Sequence, residues 1–128
     1  MKIDASFFRV WGGIAGAEST LGVLLTAGHH ERGLPLTRVA DLTASWPARR
    51  FRLSHKGGIV VGNHADLTVI DLSAKYTVQE SSLFQRHRMS PYIGSTFRGL
   101  VRQTLLHGQT IFVDGKIVAS NAGRFVRP

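Results

Sequence analysis

The spacing of apolar residues changes after the first third of this chain, and that change constrains the fold most. Within residues 17–30, Leu21, Leu24 and Leu25 recur at helical spacing, which predicts a helix. Beyond residue 56 the pattern becomes that of short strands separated by glycine turns. Helices followed by strands favour an α+β fold, or pieces of two separate layers.

The boundaries of the helices are predicted from glycine and proline. Gly33 is expected to stop the first helix, and a second is predicted from Leu36 with Thr37 as a candidate N-cap. The run 45–47, Ser-Trp-Pro, should break this second helix, because proline lacks an amide donor and disfavours helix in the residue before it. Pro47 can then open a short third helix over residues 48–53.

The second part of the chain predicts strands. A short apolar strand is expected within 57–62, a buried strand at 65–71, an extended piece at 75–78, one helical turn at 81–84, and a meander over 99–118. The meander turns are His107-Gly108 and Asp114-Gly115, the latter a hairpin dipeptide between apolar residues.

Composition limits the class of protein. The 128 residues, 43% hydrophobic and 19% charged, suit one domain. The absence of cysteine excludes disulfides and thiolate metal sites, and a cytoplasmic location is the default expectation. No apolar run reaches the roughly 20 residues of a membrane span, so no membrane association is expected.

The net charge of +8 raises the possibility of a nucleic-acid-binding protein, which would show salt-dependent affinity for DNA or RNA. The basic residues are scattered, however, and the densest groups, at 49–52 and 86–88, do not extend into a block. A solvated basic surface, or one that faces another part of a larger protein, accounts for the charge better. No nucleic-acid partner is therefore expected.

Three motifs together resemble one family. The run from Lys56 to Leu67, which contains Ala-Asp-Leu, resembles the KGxIxxGxDADL run of the amidohydrolase superfamily, and residues 101–118 resemble the strands that follow it. The segments 11–16, 86–94 and 123–128 look like the allantoinase branch of that superfamily. The resemblance covers Phe8 to Pro128. One departure is His64, where the superfamily usually has an acidic residue, and we interpret it as a surface change at a turn.

The resemblance implies a segment of a larger architecture. Family members combine a (β/α)8 barrel that carries the metals with a composite β-sandwich built from both chain ends. Residues 1–53 would be the helical remnant of the barrel's C-terminus, and residues 54–128 the C-terminal portion of the sandwich.

The resemblance also implies a chemistry that this chain does not supply. Allantoinases hydrolyse the cyclic amide of allantoin to allantoate with two metal ions, commonly zinc, that activate a bridging water. Their ligands are a His-x-His pair, a carboxylated lysine, two further histidines, and an aspartate that is also the general base. None of these motifs occurs here; Asp4 lacks the His-x-Pro that should follow. We therefore expect no catalytic residue, no metal ligand and no cofactor in this chain, and no activity of the chain alone. The six histidines are His29, His30, His55, His64, His87 and His107.

The candidate substrate-binding residues are Gly12 and Gly13. In the related hydantoinases, the aligned loop presents backbone groups to the cyclic imide of the substrate, and glycine lets the backbone approach a ligand closely. The alternative is a tight turn into the helix that begins near Ala17. Both interpretations stay open, and the substrate role applies only to the longer protein.

The remaining polar candidates have structural interpretations. His29 and His30 are adjacent, a poor chelate, and suit the C-terminal end of a helix dipole. Asp66 is expected to cap a turn or to pair locally. His87 and Tyr92 could suggest an acid–base pair, but the resemblance places them in a loop that connects sandwich strands.

The resemblance leads to two hypotheses of function. The first is a segment of an allantoinase-like hydrolase that is inactive alone. The second is a non-enzymatic oligomerisation module, because the apolar faces of the helices at 17–30 and 36–44, together with open sheet edges, would be uncovered without a barrel. We expect a homo-oligomer through these helices and edges, possibly with exchanged elements.

Overall fold

A computed structural model describes residues 13–119 and 123–126 of the chain. The predictions that concern Trp11, Gly12 and Asp4 fall outside these residues. In the described part, two helical segments precede a four-stranded antiparallel sheet. The α+β class predicted from the spacing of apolar residues is therefore confirmed.

Helix α1 occupies residues 20–32 and follows a 3-10 turn at Ala17–Ser19. It begins with an α-helical turn, Thr20–Val23, and continues as a π-helical stretch, Leu24–His30. The chain leaves the helix at Gly33, whose φ is +70°. Glycine adopts this angle without steric cost, so the predicted stop at Gly33 is confirmed.

Helix α2 runs unbroken from residue 36 to residue 50, so the predicted break at residues 45–47 is wrong. Its parts are Leu36–Ala40, Asp41–Ser45 and Trp46–Arg50, and the middle part is π-helical. In a regular α-helix, the ring of Pro47 would clash with the carbonyl four residues earlier. The wider π turn ahead of the proline relieves that clash. The N-cap is Pro35, not Thr37.

The sheet consists of strands β1 (Leu67–Thr77), β2 (Thr96–Leu106), β3 (Gln109–Val113) and β4 (Lys116–Ile117), in that order. The two pieces predicted at 65–71 and 75–78 form one strand, β1, with a register shift between Asp71 and Lys75. Both predicted meander turns are confirmed. Residues 107, 108, 114 and 115 all have positive φ, the conformation of tight primed hairpin turns.

The predicted apolar strand within 57–62 is wrong. These residues form turns, and Ile59, Val60 and Val61 are 88%, 63% and 107% exposed. Polar contacts close the loop instead: the Asn63 side chain donates a hydrogen bond to the Gly58 carbonyl at 2.9 Å. Apolar composition indicated a strand, but the described residues give this segment no strand to pair with.

Helix α1 packs on β2, and this contact forms the centre of the described core. Leu25, 1% exposed, lies against Gly99, and Gly22 lies against Phe97. A cluster of Val78, Leu83 and Phe97 continues the core, with Val23, Tyr76 and Tyr92 packed around it. The predicted division at 53/54 stays a prediction. Among the described residues, no helix combines the length and apolarity needed to cross a bilayer.

Candidate functional site

The predicted substrate loop is partly described. Gly12 lies outside the described residues, and Gly13 is exposed with φ +88°. A Cβ at Gly13 would meet no atom within 4 Å, so its backbone conformation and not crowding favours glycine here. The positive φ of Gly13 fits a tight turn into α1, and the substrate role of the loop stays a prediction.

The loop contacts a second segment that the sequence analysis singled out. The Ser90 hydroxyl donates a hydrogen bond to the Ala15 carbonyl at 3.1 Å and accepts one from the Tyr92 amide at 3.3 Å. The Tyr92 ring lies 3.7 Å from the position of a Cβ on Gly16. Residues 13–16 and 90–94, both part of the allantoinase-like pattern, therefore form one surface.

A groove of ≈ 1070 Å³ separates α1 and α2 from β1. Its walls are mainly apolar, with Leu24 from α1, Val39 from α2 and Ile70 from β1. At one end the lining becomes polar, with Lys56, His64 and Asp66. A groove of this size and lining suits either a ligand or packing against another chain segment.

At that polar end, His64, Asp66 and His107 form a cluster. One ligand atom from each lies within 4.8 Å of the others, and the rings of His64 and His107 have centroids 4.2 Å apart. The His55 ring stacks on the other side of His64 at 5.7 Å. We call these four residues the histidine cluster.

Backbone contacts hold the cluster together. The Gly108 amide donates to the Ala65 carbonyl at 2.9 Å, and the His107 amide donates to Asp66 Oδ1 at 2.8 Å. Asp66 thereby caps the turn between β2 and β3, and it also pairs with the ammonium of Lys56. Both parts of the structural interpretation of Asp66 are confirmed.

Desolvation, nearby charges and hydrogen bonds shift the pKa values of His64 and Asp66. Desolvation, followed by repulsion from His107 and Lys56, lowers the pKa of His64 and favours its neutral imidazole. Partial burial opposes ionisation of Asp66, but the hydrogen bonds from Lys56 and the His107 amide outweigh it and lower the pKa of that carboxyl.

This cluster was not predicted from the sequence. His64 and Asp66 are two residues apart in the sequence, and this short spacing was the only available signal. His107 reaches them only through the pairing of the β2–β3 turn with Ala65.

The predicted place of His29 and His30 at the end of a helix is confirmed. His29 and His30 lie in the last turn of the π-helical stretch, and the ring of His29 hydrogen-bonds the Leu34 carbonyl at 2.8 Å. Desolvation lowers the pKa of His30, whose Nε2 is buried. His87 and Tyr92 lie in the segment that connects β1 to β2.

Comparison of the sequence with known families decides its membership. Residues 6–112 match the profile of the amidohydrolase family. The chain belongs to the amidohydrolase family. It is 52% identical over 128 residues to an allantoinase of Solibacter usitatus and 49% identical over 128 residues to an allantoinase of Rubrobacter xylanophilus. These alignments cover 100% of this chain but only 28% of each relative, so the chain matches a segment of an allantoinase.

Solved amidohydrolase structures resemble the fold. An L-hydantoinase (dihydropyrimidinase) from Arthrobacter aurescens superimposes with a TM-score of 0.81 and 28% identity over 88% of this chain and 25% of its own. A D-hydantoinase gives a TM-score of 0.86 with 28% identity over 94% of this chain and 27% of its own. The predicted membership of the amidohydrolase superfamily is therefore confirmed.

Proposed function

We propose that this chain is the C-terminal part of an allantoinase-like cyclic amidohydrolase and that it contributes structure, not catalytic groups. In this proposal, residues 1–53 are the closing helices of the (β/α)8 barrel, and residues 54–128 are the C-terminal portion of the composite β-sandwich. The identity to allantoinases over the full 128 residues carries the proposal. The proposed location is the cytoplasm.

The contact between residues 13–16 and 90–94 supports a positioning role. Ser90 connects the loop to the segment between β1 and β2, and this hydrogen bond helps to hold the loop in place. In the longer protein, Gly12 and Gly13 would present their backbone groups to the cyclic substrate. Hydrogen bonds from a fixed loop orient a substrate, and small displacements of such groups lower rates strongly.

The metal chemistry of the family does not fit the residues of this chain. Hydrolysis of a cyclic amide by these enzymes relies on a metal pair that activates water and polarises the carbonyl. The His-x-His pair and the other ligands implied by the resemblance have no counterpart in this sequence. The chain alone is therefore expected to lack activity.

A chimera tests the proposal. Residues 1–128 would replace the matching segment of the Solibacter usitatus allantoinase, and allantoin hydrolysis would be measured by allantoate release. The chimera should hydrolyse allantoin with kcat/KM within roughly tenfold of the parent. A folded, metal-loaded chimera that hydrolyses hydantoin or dihydroorotate but not allantoin would contradict the allantoinase assignment.

Two variants of the chimera test the role of the loop. Gly13→Ala should lower kcat/KM roughly tenfold or more, because alanine disfavours the positive φ of Gly13 and displaces the loop. Gly115→Ala is the matched control. Gly115 also has a positive φ, +81°, and a Cβ there would likewise meet no atom within 4 Å. It lies in the β3–β4 turn, away from the loop. Equal losses in both variants would contradict a substrate role for the loop.

The inactivity of the chain alone needs its own assay. Purified chain with added zinc should show no allantoin turnover above the rate of the zinc-containing buffer. Turnover that scales with the concentration of the chain would overturn this part of the proposal.

The second candidate function is a homo-oligomerisation module. Exposed Ile59, Val60 and Val61 and the outer edge of β1 favour it, since apolar patches and open strand edges promote association. Light scattering at high micromolar concentration should show a dimer or larger species, and Val61→Lys should shift it towards monomer. A monomer at every concentration would exclude this candidate.

A further inference from the structure

We propose that His64, Asp66 and His107 form a binding site for a divalent transition-metal ion, with zinc as the reference ion. The inference rests on the geometry of the histidine cluster and is independent of the proposed hydrolase function. Ligand atoms from the three side chains already lie within 4.8 Å of one another. His64 and His107 are exposed, so an ion has access from solvent.

The backbone prearranges the three ligands. His64 and Asp66 lie in one short segment that a tight turn closes, because the Asp66 amide donates a hydrogen bond to the His64 carbonyl at 2.9 Å. The Gly108–Ala65 and His107–Asp66 hydrogen bonds, 2.9 Å and 2.8 Å, fix the β2–β3 turn beside that segment. Only side-chain rotations remain to be ordered when an ion binds.

The donor set selects the class of metal. Two imidazoles and one carboxylate suit Zn²⁺, Co²⁺, Ni²⁺ or Cu²⁺, whereas Mg²⁺ and Ca²⁺ prefer oxygen ligands alone. Tetrahedral zinc with bonds of about 2.0–2.1 Å holds its ligand atoms roughly 3.3 Å apart. The cluster must therefore contract by at most about 1.5 Å, which rotation of two exposed histidine rings provides. Solvent completes the coordination.

His55 and Lys56 set the surroundings of the site. The His55 ring stacks on His64 and hydrogen-bonds the Gly62 carbonyl at 3.0 Å, so it limits how the His64 ring can turn. Lys56 pairs with Asp66 from the other side, and its charge opposes the binding of a cation. Removal of this ammonium should free the carboxylate and strengthen binding. A cluster that serves only as a structural ion pair would not respond in this way.

The test is a titration of the 128-residue chain with Zn²⁺ by calorimetry and with Co²⁺ by visible absorption, at about pH 8, where imidazoles are neutral. We expect one equivalent of metal and the absorption bands of a low-coordinate cobalt site. His64→Asn and His107→Asn should each weaken binding at least tenfold, and Lys56→Gln should strengthen it roughly tenfold. His87→Asn, a histidine in the β1–β2 connection, should bind like the unsubstituted chain.

The His107→Asn variant keeps the test interpretable. His107 has φ +51° and precedes Gly108 in a hairpin turn, a position where Asn-Gly is favoured. This variant therefore loses the ligand while its turn is preserved, and circular dichroism should show an unchanged fold.

Two outcomes would overturn the proposal. One is the absence of saturable binding by both the unsubstituted chain and the Lys56→Gln variant. The other is equal weakening by His87→Asn and His107→Asn, which would indicate nonspecific binding to surface histidines. Neither outcome bears on allantoin hydrolysis by the chimera.

Discussion

Gly99 of β2 lies directly beneath Leu25 of helix α1: a Cβ built on Gly99 would be 2.6 Å from Leu25 Cδ1. Leu25 is 1% exposed, so its side chain belongs to the core between helix and sheet. The absence of a side chain at Gly99 thus sets the distance between helix and sheet. The neighbouring Thr26 hydroxyl reinforces this contact, since it accepts a hydrogen bond from the Arg98 amide at 2.8 Å.

Gly99→Ala should destabilise the chain by about 2–4 kcal/mol, because the new methyl group overpacks the contact with Leu25 and strains a backbone with φ +108°. Urea unfolding measures this change in free energy. Gly94→Ala separates the two causes, since Gly94 has φ +87° but open space around it, and should cost about 1 kcal/mol. Equal losses would show that the contact with Leu25 contributes nothing.

Gly22→Ala should also destabilise, although alanine is the better helix former. A Cβ at Gly22 would lie 2.7 Å from the Phe97 ring and 2.7 Å from the Tyr76 hydroxyl. The gain in helix propensity is about 1 kcal/mol, and overpacking costs about 1–3 kcal/mol, so a net loss of up to about 2 kcal/mol is expected. Gly28→Ala, on the same helix, meets only the flexible end of Leu34 and should be neutral or stabilising. A higher melting temperature for Gly22→Ala would contradict the packing argument.

Asp71 should make the stability of the chain depend on pH. The Ser73 hydroxyl, the Ala74 amide and Arg102 hydrogen-bond its carboxylate and lower its pKa from 3.8 to about 2. Since the folded state favours the anion, the stabilisation is complete above the ordinary pKa and is lost as pH falls towards about 2. Asp71→Asn should therefore melt at a lower temperature at neutral pH, and the difference should close between about pH 4 and about pH 2.

The control for this prediction is Asp114→Asn, which removes the other carboxylate near Arg102, 3.5 Å away, and leaves a favoured Asn-Gly turn. At neutral pH it should melt close to the unsubstituted chain. If Asp71→Asn and Asp114→Asn lower the melting temperature equally at neutral pH, the four hydrogen bonds of Asp71 are not the cause.

Ser90→Ala should loosen the loop of residues 13–16. The variant loses the hydrogen bond to the Ala15 carbonyl and the one accepted from the Tyr92 amide, each with a net contribution of about 1 kcal/mol. Hydrogen exchange should become faster at residues 13–16 and at Tyr92, with β2 and β3 unchanged. Ser81→Ala, at an exposed serine of the 3-10 turn Glu80–Ser82, should leave exchange of the loop unchanged. Unchanged exchange in Ser90→Ala would show that the loop is held by other contacts.

Several elements could be predicted because their signals are local. Gly33 ends α1, and the dipeptides His107-Gly108 and Asp114-Gly115 form hairpin turns, since backbone conformation at such positions depends on the residues themselves. The break expected at Pro47 was wrong for the converse reason. Proline disfavours a regular α-helix, but the π turn at Asp41–Ser45 accommodates it, and the spacing of residues did not indicate this turn.

The sequence by itself determined the family, the order of helices and strands, and the turns that connect the strands. Only the tertiary structure decided that Gly22 and Gly99 allow α1 to pack closely on the sheet. It also decided that Ser90 hydrogen-bonds the loop of residues 13–16. It also decided that His107 joins His64 and Asp66. These relations join residues far apart in the chain, and their geometry depends on strand register and on the approach of helix to sheet. Neither the register nor this approach can be predicted from the local spacing of residues.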